Sequence, residues 1–222
     1  MMQEDACEKS GCETGITRVK DADAPQLSIG IVPMNEKGEL LLLQGGQDAA
    51  RPFISGCALQ GETGEETALR LAKQALGALP DTVPVQLLAA ASQEDHHTRR
   101  QLYLIEAKQA QAAQHTRWIL PEALLSDEKL SAALRRDALF DKAIGELSRR
   151  SGEKRVPKGR YRHFKGKEYQ VLGIAVHSET LMPMVVYQAQ YGHFGLWVRP
   201  VRMWNEHVAR NGYDGPRFMK LS

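Results

Sequence analysis

Two apolar runs, residues 29–32 and 40–43, flank Asn35-Glu36-Lys37-Gly38 and predict a hairpin with a glycine-containing turn. After a loop the period changes. Thr63 precedes Glu66 by three positions, a capping-box spacing, and Ala68, Leu69, Ala72, Ala75 and Leu76 then recur on one helical face until Gly77. Pro80 and Pro84 bound a turn, and residues 85–91 and 101–107 read as strands separated by a polar stretch at 93–100. Residues 117–125 lead into a second long helical pattern over 129–149. Beyond it, 151–160 carries the Gly, Pro and charge content of a linker. Short strand-like runs follow at 168–175, 184–190 and 195–201, with no long helical pattern before 203–209. Residues 1–25 are polar and aperiodic, a flexible leader.

Composition divides the chain in two. Up to Arg150 there are 17 Lys+Arg against 22 Asp+Glu, a balance of −5; beyond it 12 basic residues (29 − 17) face 5 acidic ones (27 − 22), a balance of +7. Ten of the 14 aromatic residues also follow Arg150, so two domains are expected, 26–150 and 159–222, joined by 151–158. No apolar run approaches the ~20 residues of a membrane helix. The N-terminal residues lack a secretory signal's basic start and apolar centre. The three cysteines, Cys7, Cys12 and Cys57, show no paired C-x-x-C spacing, which argues against a zinc site or disulfide framework and suits a reducing cytosol.

The segment at residues 55–78, SGCALQGETGEETALRLAKQALGA, resembles the Nudix box without gaps. Gly56 and Glu62 take its first fixed positions, Arg70 its arginine, Ala72 and Ala78 its small apolar positions, and Gly77 its late glycine. The upstream hairpin and the downstream Trp118-x-x-Pro121-Glu122 agree with that frame, and the resemblance spans about 27–150. It implies an α/β/α sandwich. It also implies glutamates, on one helix face, that hold magnesium beside a diphosphate, yet this chain has Leu71, Gln74 and Ala75 at those places. Leucine and alanine offer no ligand, and an amide is a poor substitute for the hard anionic oxygens magnesium prefers. Arg70 is left as a structural relic or as a group free to meet an anion. Glu62, Glu65 and Glu66 are acids that could rebuild a metal site, although first-turn acids already suit a helix N-terminus. His96 and His97 stand in the polar stretch between two strands, where a solvated loop is the simpler reading than a metal or phosphate role.

From Gly159 the blocks YRHFKG, HSET, VVYQA-x-YG and LWVRP resemble, in order, a small bacterial family known as a domain of unknown function, family 1653. Its short strands suggest an SH3-like β barrel. Tyr161, His163, His177, Trp197 and Arg199 are the candidate ligand-binding residues there, with Arg70 in the first domain, because aromatic faces beside cations suit bases or other planar anions. A barrel this small also needs aromatics to fill its core, and Lys165 and Lys167 fit a solvated strand face. His177, Ser178, Glu179 and Thr180 read as a polar turn rather than a triad, whose members folding gathers from distant positions.

The fold class expected is therefore α/β, a Nudix-like α/β/α sandwich followed by a small SH3-like β barrel. The leading function is a non-catalytic ligand-binding or regulatory protein of the bacterial cytosol, taking a nucleotide-like or other anionic small molecule, with no cofactor and no membrane partner. One rival is a Nudix-type hydrolase of a nucleoside diphosphate-linked substrate with relocated acids, the only case that calls for magnesium. The other is a nucleic-acid binder, which predicts steep salt dependence and loss of binding when Lys165 and Lys167 are neutralised.

Overall fold

The structure, a computed structural model, describes residues 26–43, 53–77, 79, 83–92, 98–107 and 116–221. The first part is built on a mixed sheet of β1 (Gln26–Met34), β2 (Leu40–Leu43), β3 (Ile54–Cys57), β4 (Val85–Ser92), β5 (Thr98–Glu106) and β6 (Thr116–Ile119). The strand order is β4-β5-β1-β2-β6, and β3 also pairs with β1. β1 runs parallel to β5 over its whole length and antiparallel to β2 and β3 on its other edge.

The apolar runs of β1, β2 and β5 are continuous rather than alternating because both faces of the sheet are covered. Ile29, Ile31, Leu41, Tyr103 and Ile105 pack on one side with Ala68, Leu71, Ala72 and Leu76 of helix α1 (Gly64–Leu76). Their neighbours Val32, Met34, Leu40, Leu42, Leu102 and Leu104 face the other side. There they meet Leu124 of α2 (Pro121–Ser126), Leu134 of α3 (Glu128–Arg135), and Phe140, Ile144 and Leu147 of α4 (Ala138–Arg155). The result is an α/β/α sandwich.

The helix expected over 129–149 is two helices. Asp137 interrupts it by accepting a hydrogen bond from the Leu139 amide as the N-cap of α4. α4 then continues through residues 151–155, which the sequence reading placed in the linker. Their charges are paired: Lys154 with Glu106 at 3.3 Å and Arg155 with Glu122 at 2.7 Å, back into the sandwich. Gly152 permits a close approach, since a Cβ there would fall 2.8 Å from Ile174 Cγ2 and 3.2 Å from Pro183 Cβ. The end of α4 is thereby packed against the second part of the chain.

That part forms a five-stranded antiparallel sheet of β7 (Gly159–His163), β8 (Glu168–Val176), β9 (Pro183–Ala189), β10 (Leu196–Pro200) and β13 (Phe218–Lys220), ordered β10-β9-β8-β7-β13. The closed SH3-like barrel expected here is not formed: β10 and β13 end the sheet without pairing to each other. At Pro200 the chain leaves β10 for the short helix α5 (Val201–Trp204), whose Trp204 supplies the core instead. Trp204 stacks on Phe218 with ring centroids 3.7 Å apart and meets Tyr161 and Tyr187 edge-on. Residues 203–209, helical by pattern, divide between α5 and β11 (His207–Arg210), which forms a separate hairpin with β12 (Tyr213–Pro216). Among the described residues no helix is long and apolar enough to cross a membrane.

Candidate ligand-binding sites

The first candidate surface lies at the start of α1. The capping box forms as the spacing predicts: Thr63 Oγ1 accepts from the Glu66 amide, and Glu66 Oε2 accepts from the Thr63 amide at 2.8 Å. Arg70 is bound to Glu62 through two parallel hydrogen bonds, Nε to Oε1 and Nη2 to Oε2, each 2.8 Å, and also donates to the Cys57 carbonyl. Glu62 further accepts from the Leu59 amide and the Thr67 hydroxyl, both at 3.0 Å. Arg70, a candidate anion ligand by sequence, is thus spent on Glu62 and on tying the β3–α1 loop to the helix.

The hydrogen bond from Arg70, then that from the Leu59 amide, lowers the Glu62 pKa from its ordinary value to about 2. Because the folded-state value is depressed, the ionised contact stabilises above the unfolded carboxylate pKa and is lost as pH falls from there through about 2. In an Arg70→Met variant the Glu62 carboxyl is expected to titrate well above 2 but below the usual value of about 4.3, because the Leu59 amide and the Thr67 hydroxyl still donate to it. A carboxyl-detected NMR titration checks this, and a Glu62 pKa still near 2 would mean that another group holds it down.

The three positions where the Nudix box has glutamates point in different directions. Leu71 is 6% exposed and belongs to the core, its Cδ2 lying 2.8 Å from where a Cβ on Gly56 would stand. Gln74 is exposed, and Ala75 is partly buried against the same core. Glu66 is engaged in the cap and Glu62 by Arg70, while Glu65 stands exposed. Among the described residues no group of three or more His, Cys, Asp or Glu could hold a metal. His96 and His97 lie outside the described residues.

On the opposite face of the sheet is a small recess of about 20 Å³ between β1, β3, β5 and the start of α4, lined by Ser28, Phe53, Ser55, Arg100, Gln101 and Asp137. Arg100 Nη2 donates to Asp137 Oδ2 at 2.5 Å across it. Neither residue was a candidate by sequence; the only available signal was Asp137, an N-cap type ahead of Ala138-Leu139-Phe140.

In the second part, Tyr161, His163, Trp197 and Arg199 share one face of the sheet. Tyr161 pairs with Tyr169 and His163 with Phe218, while Trp197 and Arg199 lie opposite the buried Tyr187 and Val185. Tyr161 is core: it is 5% exposed, burial raises its pKa, and its hydroxyl donates to the Pro157 carbonyl at 2.9 Å. His163 is half-buried against Phe164 and Phe218. Its pKa is lowered by burial first, then by the charges of Arg217, Arg199 and Lys165. His177 is elsewhere, in the β8–β9 turn, where Nδ1 accepts from the amides of Glu179 and Thr180 at 3.2 and 3.3 Å.

Most of the basic run entering this part is neutralised. Arg149 and Arg150 pair with Glu146, Lys154 with Glu106, Arg155 with Glu122, and Arg160 with Glu168. Lys167 Nζ lies 4.4 Å from the Tyr191 ring centroid, and Lys165 Nζ lies 5.8 Å from that of Phe164.

The architecture is that of a two-part protein, an α/β/α sandwich followed by a small all-antiparallel β unit. Through residues 159–220 the chain belongs to the family described as Protein of unknown function (DUF1653). A DUF1653 protein of known structure from Bordetella bronchiseptica is 38% identical over 30% of this chain and 87% of its own, with a TM-score of 0.28. The N-terminal part is similar to Nudix hydrolase structures. MutT from Aliivibrio salmonicida and Vibrio cholerae matches at 15% identity over 54% of this chain and 95% of its own, TM-score 0.40. Ap4A hydrolase from C. elegans matches at 16% identity over 55% of this chain and 98% of its own, TM-score 0.40. Comparison with curated proteins gives no match.

Proposed function

We propose that the protein is a non-catalytic ligand-binding or regulatory protein of the bacterial cytosol, built on a Nudix frame that has given up its metal carboxylates. The observation that carries this reading is the turn of Leu71 into the core beneath Gly56, with Glu62 and Arg70 closed on each other beside it. A position that should present a carboxylate to a metal holds up the packing of α1 instead. The recess on the other face of the sheet, about 20 Å³, has room for a water molecule rather than a nucleotide, so the nucleotide-like ligand of this reading is sought on open surface. The C-terminal domain engages an anion through its unpaired cations. A hydrolase with relocated acids is disfavoured because two of its three acids, Glu62 and Glu66, are already engaged by Arg70 and by the cap, leaving Glu65 alone. A nucleic-acid path is disfavoured because the basic run along the end of α4 is largely neutralised.

Thermal unfolding of the full chain against nucleotides, nucleotide sugars and dinucleotides, with and without magnesium, tests the reading. A ligand at ~100 times its dissociation constant stabilises the state that binds it by about 2.7 kcal/mol. The expected result is a shift that does not need magnesium, with the ligand recovered intact. A shift that appears only with magnesium and is accompanied by cleavage would contradict it.

A further inference from the structure

We propose that the face of β10 carrying Trp197 and Arg199 binds a planar ring bearing a carboxylate or phosphate, the ring stacking on Trp197 and the oxyanion held by Arg199. This rests on reading the C-terminal domain as the binder of an anion and names its site and ligand class.

Arg199 is the anomaly. Its Nε is buried without a hydrogen-bond partner, and among the described residues the side chain makes no ion pair; the Phe218 ring centroid lies 5.9 Å from its guanidinium. Of the other arginines of this part, Arg160 and Arg162 share Glu168 and Arg217 pairs with Glu206 at 2.6 Å, while Arg202 and Arg210, which make no such pair, are exposed to solvent. A partly buried guanidinium with no anion is costly to keep, so a fold that needed only packing there would be better served by an apolar side chain. A second buried donor without an acceptor, Trp204 Nε1, belongs to the ring stacked on that same Phe218. His163 and Tyr169, both in ring contact with Phe218, lie within electrostatic reach of Arg199. Lys165 and Arg217 add positive charge beside His163.

Trp197 supplies the other half. Tyr161, Tyr187, Trp204 and Phe218 fill the core, but Trp197 is 58% exposed on an edge strand, free to receive a ring. Side chains two residues apart on a strand share a face and stand roughly 6.5–7 Å apart. That spacing matches a ring on the indole with its anionic group reaching the guanidinium, whose fork accepts carboxylate and phosphate alike. Leu196 and Val198, equally exposed, alternate onto the other face and play no part.

The test is calorimetric titration of the full chain with adenosine 5′-monophosphate and benzoate, which carry both halves, and with adenosine and inorganic phosphate, which carry one each. Arg199→Gln and Trp197→Leu chains are titrated alongside. At least one two-part probe is expected to bind more tightly than either half, with affinity falling roughly tenfold or more in each variant. Which of the two binds distinguishes phosphate from carboxylate. The Arg199→Gln chain is expected to melt no lower than the parent, since the charge serves the ligand rather than the fold. Anion binding untouched by either substitution would overturn this site while leaving the reading of the domain standing. Silence from all four probes would sink both. An Arg199→Gln chain that melts well below the parent would also overturn the proposal, by giving Arg199 a structural role.

Discussion

A Leu71→Glu variant is expected to lose about 4 kcal/mol or more of stability at neutral pH and to gain no magnesium-dependent activity. Leu71 packs with Ile29, Ile31, Ala68, Ala72 and Tyr103, and its methyl group fills the space that Gly56 leaves. Deleting a buried leucine costs ~2–5 kcal/mol. A carboxyl forced into its place would have its pKa raised by burial, at about 1.4 kcal/mol per unit. A raised folded-state pKa fixes the sign of the pH dependence. The penalty is smallest below the unfolded carboxylate value, where both states are protonated, and grows as pH rises toward the folded value. Urea unfolding at pH 5 and pH 8 should show the variant closer to the parent at the lower pH. Gln74→Glu, on the exposed side of the same helix, is expected to change stability by less than about 0.5 kcal/mol. A Leu71→Glu chain as stable as the parent would mean that Leu71 is not the structural substitute described above.

Trp204→Ala is expected to unfold the C-terminal domain, with a loss of ~3–5 kcal/mol. The indole is 1% exposed, stacks on Phe218 and meets Tyr161 and Tyr187, so it touches each of the other buried aromatic rings of that small core. A domain of about 60 residues has little stability to spare. Trp204→Phe should be milder, because it keeps an aromatic plate and removes a buried N–H that has no acceptor. Near-ultraviolet circular dichroism and limited proteolysis read the outcome. A Trp204→Ala domain that stays folded and protease-resistant would show that the core is centred elsewhere.

The local signals in the sequence were dependable where one short segment decides the structure. The Thr63 and Glu66 spacing becomes a real capping box and Gly77 ends α1 at φ 73, while the strand expected at 101–107 is β5, which ends at Glu106 but begins at Thr98, inside the stretch expected to be a polar connection. What was not legible depends on contacts between distant segments. Ser151-Gly152-Glu153 reads as linker by composition, yet Gly152 is there to let Ile174 and Pro183 come close. The fate of Arg70 needed the fold to bring Cys57 and Glu62 around it. The isolation of Arg199 is invisible in sequence, where Glu179 and Glu206 stand on either side as eligible partners. Asn211-Gly212, with φ of 51 and 76, is a favoured pair for a two-residue hairpin turn and makes the β11–β12 connection. Its flanks, Ala209-Arg210 and Tyr213-Asp214, lack the apolar alternation that usually marks such a hairpin.

The most direct test of the central claim is incubation of the full chain with magnesium and a panel of nucleoside diphosphate-linked compounds, with products resolved by chromatography. The account predicts that every compound is recovered intact at any magnesium concentration. Magnesium-dependent cleavage that disappears in Glu62→Gln or Glu66→Gln chains would contradict it and make the protein a hydrolase with relocated acids.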